Sequence, residues 1–256
     1  IQEKSIQIDL AEANLRAIYE DENNQYHDYL TEKLPNKFSY QMKFNYAKKN
    51  EDGSDDTNWN TAIANEAFRQ SIYYGLDLTK TYERANMINP LSCENTAYTM
   101  KGLVYFSDGT EYVDRVEELI ELPESNGKTM RRLDKEKAEE LKKQAIEELS
   151  AKGVKFPVEM DYYIPAGSQL ALDGATVLQE NFADCFGDDY IKLNIGTYVS
   201  SLTQEVIDPS LQSVVMNGWG ADYGDVQNFL GQETYGEETA YYSMNYTNIN
   251  DATDLN

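Results

Sequence analysis

Apolar positions recur along the chain with two different periods, and each predicts its own kind of element. From residue 9 to about residue 20, Leu10, Ala13 and Ala17, with Leu15 and Ile18 beside them, form the apolar side of a helix. Asn65 is placed to cap a second helix, in which Phe68, Ile72 and Leu76 stack at four-residue intervals. Asp134 caps a third, with Leu141, Ala145 and Leu149 on one face and Gly153 as its left-handed stop. The period then falls to two. Phe156, Val158, Met160 and Tyr162 alternate with Pro157, Glu159 and Asp161, as in a half-buried strand. Ser168 opens a further helix carrying Leu170, Val177, Leu178 and Phe182; residues 190–198 read as a strand, 200–207 as a short helix and 213–219 as a strand.

This strand, helix, strand, helix, strand run predicts an α/β fold class: a mixed, partly parallel sheet flanked by helices, binding ligands at the carboxyl ends of its strands. Residues 48–60 and 120–132 are polar and rich in turn formers, so both are expected to be loops or insertions, the first flexible and solvated. Asp52, Asp55 and Asp56 lie in that first loop but lack the spacing of a calcium-binding EF-hand. There is no internal repeat, and residues 1–256 are expected to form a single α/β lobe.

Charge narrows the function. Asp and Glu total 45 against 22 Lys and Arg, a net −23, which excludes nucleic acid as a partner because phosphate binding needs clustered cations. No apolar run approaches the roughly 18 to 20 residues that cross a bilayer. The last cation is Lys192, and every ionised side chain after it is an acid, including Glu205, Asp208, Asp222 and Asp225. A solvated acidic surface and a negative cleft for a cationic ligand group both fit that pattern. Cys93 and Cys185 match no metal spacing, a disulfide between them is open, and the single histidine, His27, cannot complete a His-based site. No metal or cofactor is expected. The pairs Asp222/Asp225 and Glu205/Asp208 raise a glycosidase, but closeness in sequence says nothing of separation across a cleft. No phosphate loop or serine elbow is present, so no enzyme is expected. Tyrosines pair at 73/74, 162/163 and 241/242, where their hydroxyls favour boundaries and a few of their rings could line a groove.

One segment concentrates candidate chemistry: VVMNGWGADYGDVQNFLG, residues 214–231. An apolar strand runs into Gly218, Trp219, Gly220, Ala221 and Asp222, which sets flexible backbone, a large aromatic and a carboxylate at a strand's carboxyl end. Backbone there can pair with an extended peptide, and the carboxylate can hold a cationic terminus.

Here the sequence resembles the extracellular oligopeptide-binding proteins of ABC transporters, solute-binding protein family 5. GWGADYGDVQNFLG is similar to their Gly-Trp-x-x-Asp segment. In the same chain order, MKFNY around Phe44 and Asn45 resembles the strand entering the lobe, NEAFRQSIYYGLDLTKTY an early helix, and RLDKEKAEELKKQAIEEL the helix before an aromatic-rich edge. Such proteins are two-lobed and about twice this length. The resemblance therefore implies the second lobe of a periplasmic-binding-protein-like fold, an excised piece of a longer chain beginning at Ile1, with the first lobe absent. It further implies an oligopeptide ligand, ABC transporter permease subunits as partners, and an extracellular cell-surface lipoprotein or periplasmic location, with a membrane anchor outside this fragment. Asp222 takes the place of the residue that binds the peptide α-ammonium, and Asn217, Gly218, Trp219, Gly220 and Ala221 that of the peptide-pairing backbone, with Tyr223 beside them. Departures are Val226 for a common proline, Met216 where some members carry a cation, and Leu78 after Asp77 where the family has arginine. A dipeptide, nickel complex or sugar on the same scaffold is the alternative cargo.

Overall fold

A computed structural model describes residues 12–30 and 38–231. Helix α1 (Glu12–Glu20) is followed by strand β1 (Phe38–Phe44), helices α2 (Thr57–Ala64), α3 (Glu66–Gly75), α4 (Thr79–Ala85), α5 (Tyr112–Leu119) and α6 (Lys135–Ala151), strand β2 (Val158–Pro165), helix α7 (Gln169–Phe186), strands β3 (Ile191–Tyr198) and β4 (Val214–Gly220), and the short helix α8 (Gln227–Leu230). The strands form one sheet in the order β1-β4-β2-β3, with β2 parallel to both β3 and β4 and β1 antiparallel to β4. The expected mixed, partly parallel sheet is thus present. None of the helices in the described residues is long and apolar enough to cross a membrane.

Register decides which side chains meet. Phe44, Val214, Tyr162 and Ile195 stand in one row across all four strands, and alternation carries Val158, Met160, Ile191 and Leu193 to the same face. That face packs on Phe68 and Ile72 of α3, Leu149 of α6, and Leu178 and Phe182 of α7. Each fully buried side chain of this size contributes about 1.5–3 kcal/mol. Tyr190 enters the same core and bonds its hydroxyl to Ser71 Oγ at 2.9 Å; burial pushes its phenol up to about 12.

The predicted caps form. Asn65 Oδ1 accepts from Phe68 N at 2.8 Å, Asp134 Oδ1 from Lys137 N at 3.0 Å and Ser168 Oγ from Ala171 N at 3.3 Å. Gly153, at φ +82°, ends the turn after α6, a conformation that side chains rarely adopt. Four expectations need correction. Phe156 and Pro157 precede β2 rather than joining it, and the short helix after β3 is a single π turn over Thr203–Ile207. Leu170 is 77% exposed, because at about 100° per residue it lies well round the helix from the buried Leu178 and Phe182. Residues 48–60 are a solvated loop only in part: residues 49–55 are exposed in a tight turn closed by the Lys49↔Asp55 bridge, and α2 starts at Thr57. Asp56 caps that helix by accepting from Trp59 N at 3.0 Å, and buried Trp59 donates its indole N–H to Asn45 O at 2.7 Å. Buried Lys48 meets Asp56 at 2.6 Å and Asp161 of β2 at 2.9 Å, fastening this segment to the sheet.

Candidate functional site

Strand β4 lies between β1 and β2, but its two sides differ. On the β1 side the ladder is continuous from Phe44↔Val214 to Phe38↔Gly220. On the β2 side the ladder consists of Tyr162↔Val214 alone, and the strands splay apart beyond it. Asn45 N donates to Ser213 O at 2.9 Å, so alternation along an antiparallel pair turns the peptide groups of Val215, Asn217 and Trp219 toward β1. Those of Met216, Gly218 and Gly220 turn toward β2, where they have no ladder partner among the described residues. An open strand edge therefore runs to the carboxyl end of the sheet.

Gly218 and Gly220 are required by their neighbours on β1. A Cβ on Gly218 would come within 2.6 Å of the Tyr40 ring, and one on Gly220 within 2.8 Å of the Phe38 ring. These rings are partly exposed and lie over one face of the strand.

Just past the strand, Ala221 is half-buried, and Asp222 and Tyr223 are exposed. The Asp222 carboxylate has no hydrogen-bond or ion-pair partner among the described residues. Its backbone is nevertheless held: Asp222 N donates to Asn228 Oδ1 at 3.0 Å, and the same oxygen accepts the Trp219 indole N–H at 3.0 Å. Asn228 is positioned by α8, which Phe229 anchors in the interior and which begins where Gln227 N donates to Asp225 Oδ1 at 2.8 Å. Asn228 was not among the residues singled out from the sequence. An asparagine nine residues after a tryptophan carries no spacing signal, since the intervening turn decides whether the two meet.

Between the splayed strands lies a cavity of roughly 300 Å³, lined by Tyr162 and Ile164 of β2, Val215 and Met216 of β4, and Gly174 and Ala175 of α7 among others. Both members of the 162/163 tyrosine pair contribute to it, and burial pushes both phenols up. The 73/74 pair does not: these rings pack edge to face at 4.9 Å beneath Arg132 and Lys137. Tyr241 and Tyr242 lie outside the described residues.

Beyond β3, Glu205 closes its own loop. Its carboxylate accepts from the backbone N–H groups of Val199, Ser200 and Ser201 at 2.7–2.9 Å and from Ser200 Oγ, which hold it down at about 2. A carboxylate so engaged cannot serve as a general acid near neutrality. Cys93 and Cys185 are not bonded to each other, so the open disulfide question is answered in the negative. No cluster of three or more potential metal ligands occurs among the described residues.

No protein-family model matches the chain. It is 22% identical over 236 residues to the oligopeptide-binding protein AliB of Streptococcus pneumoniae serotype 4, covering 83% of this chain and 35% of AliB. The chain thus spans about a third of the length of the curated relatives it matches. Its fold matches peptide-bound OppA of Listeria monocytogenes with a TM-score of 0.57 at 16% identity, over 82% of this chain and 36% of OppA. It also matches the substrate-binding domain of an oligopeptide ABC transporter from Bacillus anthracis, with a TM-score of 0.55 at 15% identity, over 86% of this chain and 38% of that one. These relatives are binding proteins rather than enzymes. The chain is therefore similar in sequence and in fold to a stretch of the oligopeptide-binding, family 5 solute-binding proteins of ABC transporters.

Proposed function

We propose that the chain is the peptide-binding lobe of an extracellular solute-binding protein that feeds an ABC importer. The observation that carries this reading is the open edge of β4 leading to an unpartnered carboxylate. An extended peptide added at Gly218 and Gly220 gains main-chain hydrogen bonds, while Asp222 receives its α-ammonium in a charge-assisted bond. With the ammonium beyond the carboxyl end of β4, the peptide runs back antiparallel to that strand. The cation-free stretch after Lys192 adds long-range attraction for the same end of the ligand. Closure of a second lobe over the sheet end would bury the peptide and present the closed form to permease subunits. Anchoring at the cell surface would come from a lipid attached outside these residues.

The test is a calorimetric titration of the complete gene product with a short peptide and its N-acetylated twin. A charge-assisted bond is worth about 1.5–3 kcal/mol, so acetylation should weaken binding roughly tenfold or more. Asp222→Asn should remove most of the difference between the two peptides. Equal affinities for the two forms in the unmodified protein overturn the assignment of Asp222.

A further inference from the structure

We infer that the cavity in the β2/β4 fork is a selective pocket for one uncharged, apolar side chain of the bound peptide, which makes the ligand class peptides with an aliphatic or aromatic residue a few positions from their amino end. This rests on the peptide-binding reading above and deepens it.

The pocket exists because of a change in residue size along α7. Where that helix faces the core it carries Leu178, Phe182 and Phe186, which fill the space against the sheet. One to two turns earlier the lining positions are Ala171, Gly174 and Ala175, and the volume a larger side chain would occupy stays open. The opposite wall is Ile164 and Val215, with Tyr162 beside them. Among the described residues, none in the lining carries a formal charge, in a chain of net −23. An ionised side chain entering such a place would lose hydration without meeting a counter-charge, which is costly. An apolar one gains burial. The volume, roughly 300 Å³, exceeds the ~150 Å³ that suffices for a benzene-sized ring.

Position along the peptide follows from strand geometry. A peptide antiparallel to β4, with its ammonium at Asp222, passes Gly220, then Gly218, then Met216, where the Tyr162↔Val214 pairing closes the gap between the strands. Side chains opposite Met216 are roughly the fourth or fifth of the ligand, at the ~3.4 Å advance of an antiparallel strand. Met216 itself lines the pocket, so the side chain that reaches it is the one at the fork.

The test uses the complete gene product and a pentapeptide panel, Gly-based, with Leu, Phe, Asp or Lys placed at each position in turn. Leu or Phe at position four or five should bind roughly tenfold tighter than Asp or Lys at the same position. Gly174→Leu is the filling variant: a Cβ at Gly174 meets nothing within 4 Å, and leucine favours the helix more than glycine does. In this variant Leu and Phe at position four or five should bind no better than Asp or Lys there, with an unchanged circular dichroism spectrum. Equal binding of charged and apolar twins at every position, or a uniform loss across the panel in Gly174→Leu, overturns the pocket while leaving the peptide reading intact. No binding of any panel member to the unmodified protein overturns both.

Discussion

The side-chain oxygen of Asn228 accepts the indole N–H of Trp219 at 3.0 Å and, at the same distance, the backbone N–H of Asp222. One acceptor thus ties the end of β4 to the residue proposed to hold the ligand's ammonium. The carboxylate of Asp222 stays exposed while its main chain is fixed, which lowers the ordering cost of binding.

If Asn228 positions the site, removing its oxygen should disturb Trp219 and Asp222 together. Asn228→Leu should shift the Trp219 indole resonance in a nitrogen–proton correlation spectrum and reduce stability by about 1–2 kcal/mol, with the denaturant slope unchanged. Peptide affinity should fall although Asp222 is intact. Asn228→Asp, which retains an acceptor, should restore the indole position. An unchanged indole resonance in Asn228→Leu rules out the positioning role.

The Lys48 ammonium is buried against two carboxylates, and there the geometry predicts a large stability effect. Burial alone would pull it down, but the hydrogen bonds it donates to the Asp56 and Asp161 carboxylates outweigh that and hold it above the usual lysine range. A group whose folded value is raised contributes stability below its unfolded value and loses it as pH climbs through the folded one. The contribution is therefore complete at neutrality. Lys48→Met should lower the unfolding free energy by about 3 kcal/mol, because two carboxylates lose their counter-charge. A loss under about 1 kcal/mol in chemical denaturation would mark the triad as an ordinary surface pair.

Glu205 gives the opposite pH sign. Its three backbone donors favour the ionised form and depress the carboxyl to about 2, so the contribution is full above the ordinary glutamate range near 4.5 and fades as pH falls toward 2. In an acid titration followed by amide chemical shifts, Val199, Ser200 and Ser201 should move together with a midpoint near 2. Glu205→Gln should abolish that transition and loosen the loop at the carboxyl end of β3. A midpoint near 4.5 would show that the carboxylate does not hold these amides.

Much of the fold was legible locally. The apolar periods of α3, α6 and β2 and the caps Asn65, Asp134 and Ser168 depend on contacts within a few residues, which a linear sequence displays. Residues 48–60 misled for the same reason: their composition is that of a turn, and the burial of Lys48 and Trp59 comes from partners far away in the chain. Leu170 misled because eight and twelve residues are not whole numbers of helical turns, so it drifts off the face that carries Leu178 and Phe182. In the site, the Gly-Trp-x-x-Asp pattern drew attention to Asp222 and the strand before it, but carried no trace of Asn228.

By itself, the sequence determined the main elements α3, α6, α7 and β2 to β4, the acid excess and the resemblance to oligopeptide-binding proteins, since propensity, charge and ordered motifs are properties of short segments. Only the tertiary structure decided that β4 inserts between β1 and β2, that it parts from β2 after Val214, and that small residues of α7 leave a neutral cavity at the fork. Those features arise from pairing register between distant strands. A shift of one residue in that register would exchange the buried and exposed faces of β4, and nothing local in the chain encodes it.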